Sequence, residues 1–171
     1  MKKAIVVFTV IFCSYVCCAQ QILRLNQEEI KANETPQAVA YNFVKSIIFE
    51  DYANAVELMS LDYFFELMPT LFVEQVPIDR LFSSEYTHKI VDMRPVVNLG
   101  YEVAITETQL LDPNEFFDED SKYRAEPAYF ISFCCADDKG HLYDGKHGKY
   151  DTDVKVMIVR EDDVWKVNGF E

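Results

Sequence analysis

Basic residues are scarce in this chain. Lys and Arg together number 16 of 171 residues, against 29 Asp and Glu, which leaves a formal charge of −13. Nucleic-acid binders carry a basic footprint that neutralises phosphates, so the balance argues against that class. Glycine and proline are also few, 5 and 6 residues, which excludes a collagen-like repeat and a disordered low-complexity chain. No apolar run reaches the roughly 20 residues of a good membrane span. Of the five cysteines, only the adjacent pair Cys134-Cys135 lies beyond residue 18, so neither a disulfide framework nor a zinc-type spacing is present. A phosphate loop, a nucleophile elbow and a zinc-protease helix are missing too. What remains is a half-apolar chain long enough to bury the core of one domain.

The first residues read as an export signal. Lys2 and Lys3 precede an apolar run from Ala4 to Phe12, and Cys13 to Gln20 follow as a small-residue region. Cleavage after Ala19 places Cys17 and Ala19 at the two small-residue positions. Acylation at Cys17 or Cys18 is the sharper alternative, although Tyr15 or Val16 then stands where a lipoprotein signal has a small residue. Loss of residues 1–19 leaves 14 basic residues against 29 acids, a net −15. Such a surface stays soluble and repels anionic lipid and polyanions. A periplasmic or extracellular product is expected, with no membrane span after cleavage and a loose polar leader over 20–34.

From residue 35 the hydrophobic period is helical. Thr35-Pro36 supplies an N-cap and a first-turn proline, and Ala40, Phe43, Val44, Ile47 and Ile48 make one stripe. Asp51 caps a second helix with Tyr52, Ala55, Val56 and Met59 on one side. Ser60 and Asp62 offer a third cap, ahead of Phe64, Leu67, Met68 and Leu71. The period then changes. Segments 86–98 and 101–111 read as strands of a hairpin turned at Leu99-Gly100, and 127–136 and 152–160 as further strands. Glu161-Asp162-Asp163 is a tight turn into Val164-Trp165-Lys166-Val167. Helices followed by a meander predict an α+β domain over 35–171, with helices on one face of an antiparallel sheet of four to six strands. In it Phe43, Val44 and Ile47 should face the sheet, with Trp165 in or beside the core.

The run ETPQAVAYNFVKSIIFEDYANAVELMS (34–60) and the close DVKVMIVREDDVWKVNGFE (153–171) resemble the opening helices and last hairpin of nuclear transport factor 2-like, or cystatin-like, domains. The secreted single-domain members from Bacteroidetes are the most similar in layout. The resemblance implies a curved sheet wrapped around a long helix as an open-mouthed cone. Members include isomerases, dehydratases, ligand binders and interaction modules, so the fold does not choose the function.

His88, Asp92 and Arg94 share one face of the expected strand 86–98, where a His near a carboxylate could act as a general base. The same residues on a solvated face carry no chemistry, and Val91 and Met93 on the other face look like the core set. Glu107 and Gln109 continue the face of Tyr101, Val103 and Ile105. A carboxylate desolvated there could accept a proton. Tyr41, Tyr52 and Tyr63 are expected to bury their rings with the hydroxyl at the edge. The acidic stretch 112–120 lacks the glycine of a calcium loop. His141 and His147, six apart in a Gly-rich loop, have no zinc spacing. Of Cys134 and Cys135, one thiol should enter the core and the other point outward. In the loops 112–126 and 137–152, which should add little core, Phe116, Phe117 and Tyr143 are the aromatic candidates for ligand or partner contact, or else plugs of the domain's own core.

The leading expectation is a secreted, non-catalytic module that binds a small molecule or an envelope protein, with no cofactor, metal or nucleic acid. The alternatives are a cofactor-free lyase or isomerase using His88, Asp92 or Glu107, and a structural partner domain of an envelope complex. A cavity with an ionisable floor would favour the enzyme. An interior filled by Phe and Tyr beside an exposed apolar patch would favour a partner surface. Export itself predicts a mature chain beginning at Gln20. The intact mass of the product from a bacterial host checks this, and a chain that still starts at Met1 would refute it.

Overall fold

The computed structural model describes residues 22–82, 90–144, 150 and 152–170, the side chain of Asp79 apart. Residues 1–19, read above as an export signal and including Cys17 and Cys18, lie outside them, as do His88 and His147. Helices α1 (Gln27–Ala32), α2 (Pro36–Ile48), α3 (Tyr52–Glu57) and α4 (Leu61–Met68) come first, and a π turn, Pro69–Val73, extends α4. Then come α5 (Ile78–Leu81), a 3-10 turn Ile90–Asp92, and α6 (Met93–Asn98). The strands β1 (Glu102–Leu110), β2 (Tyr129–Ala136), β3 (Val154–Glu161) and β4 (Val164–Phe170) follow. Between β1 and β2 lie α7 (Pro113–Phe116) and a 3-10 turn, Lys122–Ala125. The sheet is antiparallel, in the order β1-β2-β3-β4, and open. The domain is therefore α+β. Among the described residues no helix is long and apolar enough to cross a membrane.

The caps fall where the sequence puts them. The Thr35 hydroxyl accepts from the Ala38 amide at 3.1 Å, Asp51 caps α3 and Ser60 caps α4. Helix α2 buries eight of its thirteen residues, more than one face of an amphipathic helix would. Phe43, Val44 and Ile47 are wholly buried and join the inner face of the sheet in one core, against which Trp165 packs. Rings close its far end: Phe43, Phe82 and Phe170 meet with centroids 5.6–6.2 Å apart, Tyr52 stacks on Phe82, and Tyr63 meets Phe170 edge-on.

Each sheet edge carries a local backbone bridge from an earlier segment, which occupies part of its hydrogen-bonding groups. At β1 the Leu23 amide donates to Ile105 O at 3.0 Å. At β4 the Ser60 amide donates to Val167 O, and the Val167 amide to Leu58 O, both at 2.8 Å. The last hairpin turns on Asp162 and Asp163, at φ 50° and 64°, as a two-residue loop between right-twisted strands requires.

Several expectations need correction. The stretch 90–98 is not a strand: it is the 3-10 turn and α6. Pro95 has no N–H for a ladder, but in the first turn of a helix that N–H is not needed. Gly100, at φ 97°, ends this segment and leads into β1. There is thus no hairpin 86–111 among the described residues. The leader is not loose throughout. Asn26 accepts from the amides of Glu28 and Glu29, and the Glu29 carboxylate accepts from the Asn26 amide at 2.8 Å, a capping box that starts α1. Asn42 then ties α1 to α2, donating to Ile30 O at 2.8 Å. Cys135 enters the core as expected, but Cys134 is covered as well, its Sγ 3.3 Å from Thr152 Oγ1. Burial pushes both thiols up, Cys135 to about 12.

The loop between β1 and β2 also adds core. Leu111, Tyr123, Ala128 and Val159 form a second cluster on the outer face, with Phe117, Phe130 and Met157 against it. A polar clamp fixes that loop to α4. The Glu161 carboxylate accepts from Lys122 Nζ at 2.6 Å, from Tyr123 Oη at 3.2 Å and from the Leu61 amide at 3.1 Å. Lys122 also reaches Asp62 at 3.3 Å. Burial alone would raise the Glu161 carboxyl, but the hydrogen bonds from Lys122, Leu61 and Tyr123 outweigh it and hold the group below its ordinary value. Because the folded value is lowered, this contribution is complete above the ordinary glutamate value, about 4.3, and is lost as pH falls through the folded value. Glu161→Gln is expected to cost about 1–3 kcal/mol near neutral pH and markedly less near pH 3. Urea melts at the two pH values check this, and an equal cost at both would refute it.

Candidate functional site

The residues singled out for acid-base chemistry are not brought together. His88 lies outside the described residues. Asp92 ends the 3-10 turn and leads into α6, so it shares no strand face with anything. Arg94, from α6, serves α2: its guanidinium donates to Ile48 O at 2.7 Å, Ile47 O at 3.2 Å and Glu50 Oε1 at 2.6 Å. It thereby satisfies the Ile48 carbonyl at the helix C-terminus, adds a second donor to Ile47 O, and places a positive charge at the negative end of α2.

Glu107 is on the wrong face for an interior carboxylate. Ile105 pairs with Phe133, but Glu107 pairs with Ser132, so Thr106 is an extra residue in β1. The bulge reverses the alternation. Glu107 therefore lies exposed on the outer face, in one row with Ser132 and Lys155. The expectation that it continues the face of Val103 and Ile105 is corrected accordingly.

The loop aromatics fold back. Phe116 meets Phe130 edge-on at 5.6 Å, although it stays 44% exposed, and Phe117 packs on Tyr123. The Tyr143 amide donates to Cys135 O at 2.7 Å, and its ring meets Tyr101 at 5.4 Å. His141 is engaged locally, its Nδ1 2.9 Å from Asp137 Oδ2. The backbone and ring of His141 hold the Asp137 carboxyl below its usual range. Among the described residues no three His, Cys, Asp or Glu side chains are grouped to hold a metal ion. The hydroxyls of Tyr52 and Tyr63 are buried without a partner among the described residues, and burial raises the Tyr63 phenol far above its ordinary value.

Two surface features are better candidates. The first is an apolar face on α4 and the π turn. Leu61 is 57% exposed, Phe65 61%, Phe72 67% and Val73 79%, while Tyr63 and Leu67 of the same segment are buried. The inward residues anchor the helix and leave large outward ones bare. From Leu61 to Pro77 the sequence carries Asp62, Glu66 and Glu74 and no Lys or Arg.

The second is a cleft of about 260 Å³ along the one stripe of α2 that is not fully covered. Tyr41, Lys45 and Phe49 recur there at helical spacing. The leader forms one wall through Leu23, Leu25 and Ile30, and Val97 with Tyr101 forms the other. Lys45 Nζ lies 5.6 Å from the centre of the Tyr41 ring and 5.1 Å from that of Phe49. Arg24 donates to Asp137 O at 2.8 Å, and its other terminal nitrogen is 3.9 Å from Glu102. Burial, with the Glu102 charge adding to it, raises the Tyr41 phenol, so its hydroxyl keeps its proton. Reading the sequence for acid-base groups passes over Arg24 and Lys45. The available signal was the one charged residue of a largely buried helix, a lysine four residues from an aromatic on either side. Comparison of the chain with protein-family models, with curated proteins and with solved structures finds no match.

Proposed function

We propose that the chain is an exported, non-catalytic interaction module that holds a basic amphipathic segment of an envelope partner against the apolar face of α4 and the π turn. The observation that carries this is the exposure of Phe65, Phe72 and Val73 on one short segment anchored from behind. Exposed apolar side chains gathered in this way mark interaction surfaces. Asp62 is already engaged by Lys122, but Glu66 and Glu74, with no basic residue in the segment itself, favour a cationic occupant. They disfavour a second copy of a chain carrying −13. The aromatic packing of Phe43, Tyr52, Tyr63, Phe82 and Phe170 supports the same reading, because rings occupy the interior of the domain.

An export signal over 1–19 and a nuclear transport factor 2-like architecture belong to this proposal. In support of the second, an apolar helix opens the domain and packs across a meander that ends in the Trp165 strand. The reading as a cofactor-free lyase or isomerase has one observation in its favour, the unpartnered phenols of Tyr52 and Tyr63. With its value raised by burial, Tyr63 could donate a hydrogen bond but could not serve as a base near neutral pH.

The test is fluorescence anisotropy with a labelled helical peptide of Leu and Lys at amphipathic spacing, against a matched Leu and Glu peptide. Saturable binding of the basic peptide alone, weakened about tenfold or more by Phe65→Ser with Phe72→Ser, is expected. Both positions are exposed, so the melting temperature should change little. Equal binding of the two peptides, binding unaffected by the substitutions, or a wild-type dimer that the substitutions dissociate would overturn the proposal.

A further inference from the structure

We infer that the cleft beside α2 is a site for a small organic carboxylate with an apolar tail, held through Lys45 and Arg24. This site is separate from the face of α4 and does not depend on it. Its walls and floor come from the leader, α2 and the start of β1.

The charge at the cleft is the first argument. The chain as a whole carries −13, yet Arg24 and Lys45 both line the cleft, against the one carboxylate in its lining, Glu102. That carboxylate is 69% exposed and 3.9 Å from Arg24, too far for a hydrogen bond, and such a pair contributes little. The cleft is therefore locally cationic within an anionic surface, which concentrates anions at it.

The second argument is the state of Lys45. Its ammonium has three N–H donors and no acceptor. No hydrogen bond or ion pair engages them among the described residues. Two aromatic faces hold the ammonium instead, Tyr41 on the preceding turn and Phe49 on the following one. This fixes the position of the charge while leaving its donors free for a ligand. Arg24 is also held in place, by its hydrogen bond to Asp137 O. Tyr41 adds a hydroxyl donor at the same floor. Preset donors of this kind lower the ordering cost of binding.

The third argument is the rest of the lining. Apart from Gln27 it is apolar or aromatic, with Leu23, Leu25, Ile30 and Val97 offering no polar side chain, so the ligand brings apolar surface as well as charge. A volume of about 260 Å³ lies just below the usual range of roughly 300–1,000 Å³ for larger ligands. It suits a medium-chain or aryl-alkyl monocarboxylate and excludes a long acyl chain or a nucleotide.

The probes are hexanoate, octanoate, phenylacetate and 3-phenylpropionate, with the matching primary amides as neutral controls. Binding is followed by calorimetry and by backbone amide shifts in nuclear magnetic resonance spectra of the full exported chain. At least one acid is expected to bind saturably, with shifts at 23–30, 41–49 and 97–103, and its amide about tenfold or more weaker, the worth of a charge-assisted hydrogen bond. Lys45→Met keeps the aliphatic stem and should weaken the acid about tenfold without changing the amide, whereas Lys45→Arg should restore it. Arg24→Gln is the second variant, should Lys45→Met disturb folding. Acids and amides bound alike, acids bound with shifts elsewhere, or none of the four acids bound at millimolar concentration would overturn the inference. The peptide test of the α4 face is independent of each of these outcomes.

Discussion

Helix α2 is apolar nearly all round, and a helix of that kind has to be covered nearly all round. Most of the fold follows from this constraint. The sheet takes one side through Phe43, Val44 and Ile47. Helices α1 and α3 and the turn before α6 take the others. Arg94 closes the C-terminal end by donating to its last carbonyls. The cleft is what is left over, since Tyr41, Lys45 and Phe49 mark the strip where the cover stops short. A binding site on this strip borrows its rigidity from the core behind it.

The second-half strands depend on what lies at their edges and on their outer face. Leu23 and the segment 58–60 each bridge one edge strand, so part of each edge of the open four-stranded sheet is occupied. The loop carrying Tyr123 covers part of the outer face, and Glu161 locks it to the start of α4. That clamp also anchors the first turn of the helix that bears Phe65. The same polar cluster thus stabilises the sheet and presents the proposed docking face.

Much of this was legible in the sequence. Thr35, Asp51 and Ser60 announce their helices because a cap is a local event, decided by one side chain and an amide three residues on. Strands β1 and β3 show through alternation, β2 as an apolar run, and the Asp162-Asp163 turn through its position ahead of the last run. Three features were hidden. Residues 90–98 are rich in Val and Ile, and their burial as a helix overrides that preference; Pro95 was the available warning against a strand. The bulge at Thr106 was invisible, because which residue is extra depends on the partner strand, and it sends Glu107 to the opposite face. The covering of Cys134 depends on Thr152, which is eighteen residues away and joined to it only by the fold. Of the two surface features, the face of α4 was written in the sequence as an excess of Leu and Phe over what one stripe can bury. The cleft joins α2 to Arg24 and Glu102, which only the tertiary structure brings near.

The claim that α2 is the hub has a direct measurement. Phe43 is wholly buried and touches both Phe82 and Phe170. Denaturant melts of Phe43→Ala against the wild type are predicted to show a loss of about 3–5 kcal/mol. A loss under about 1 kcal/mol would contradict the account, because the core would then not be organised around this helix.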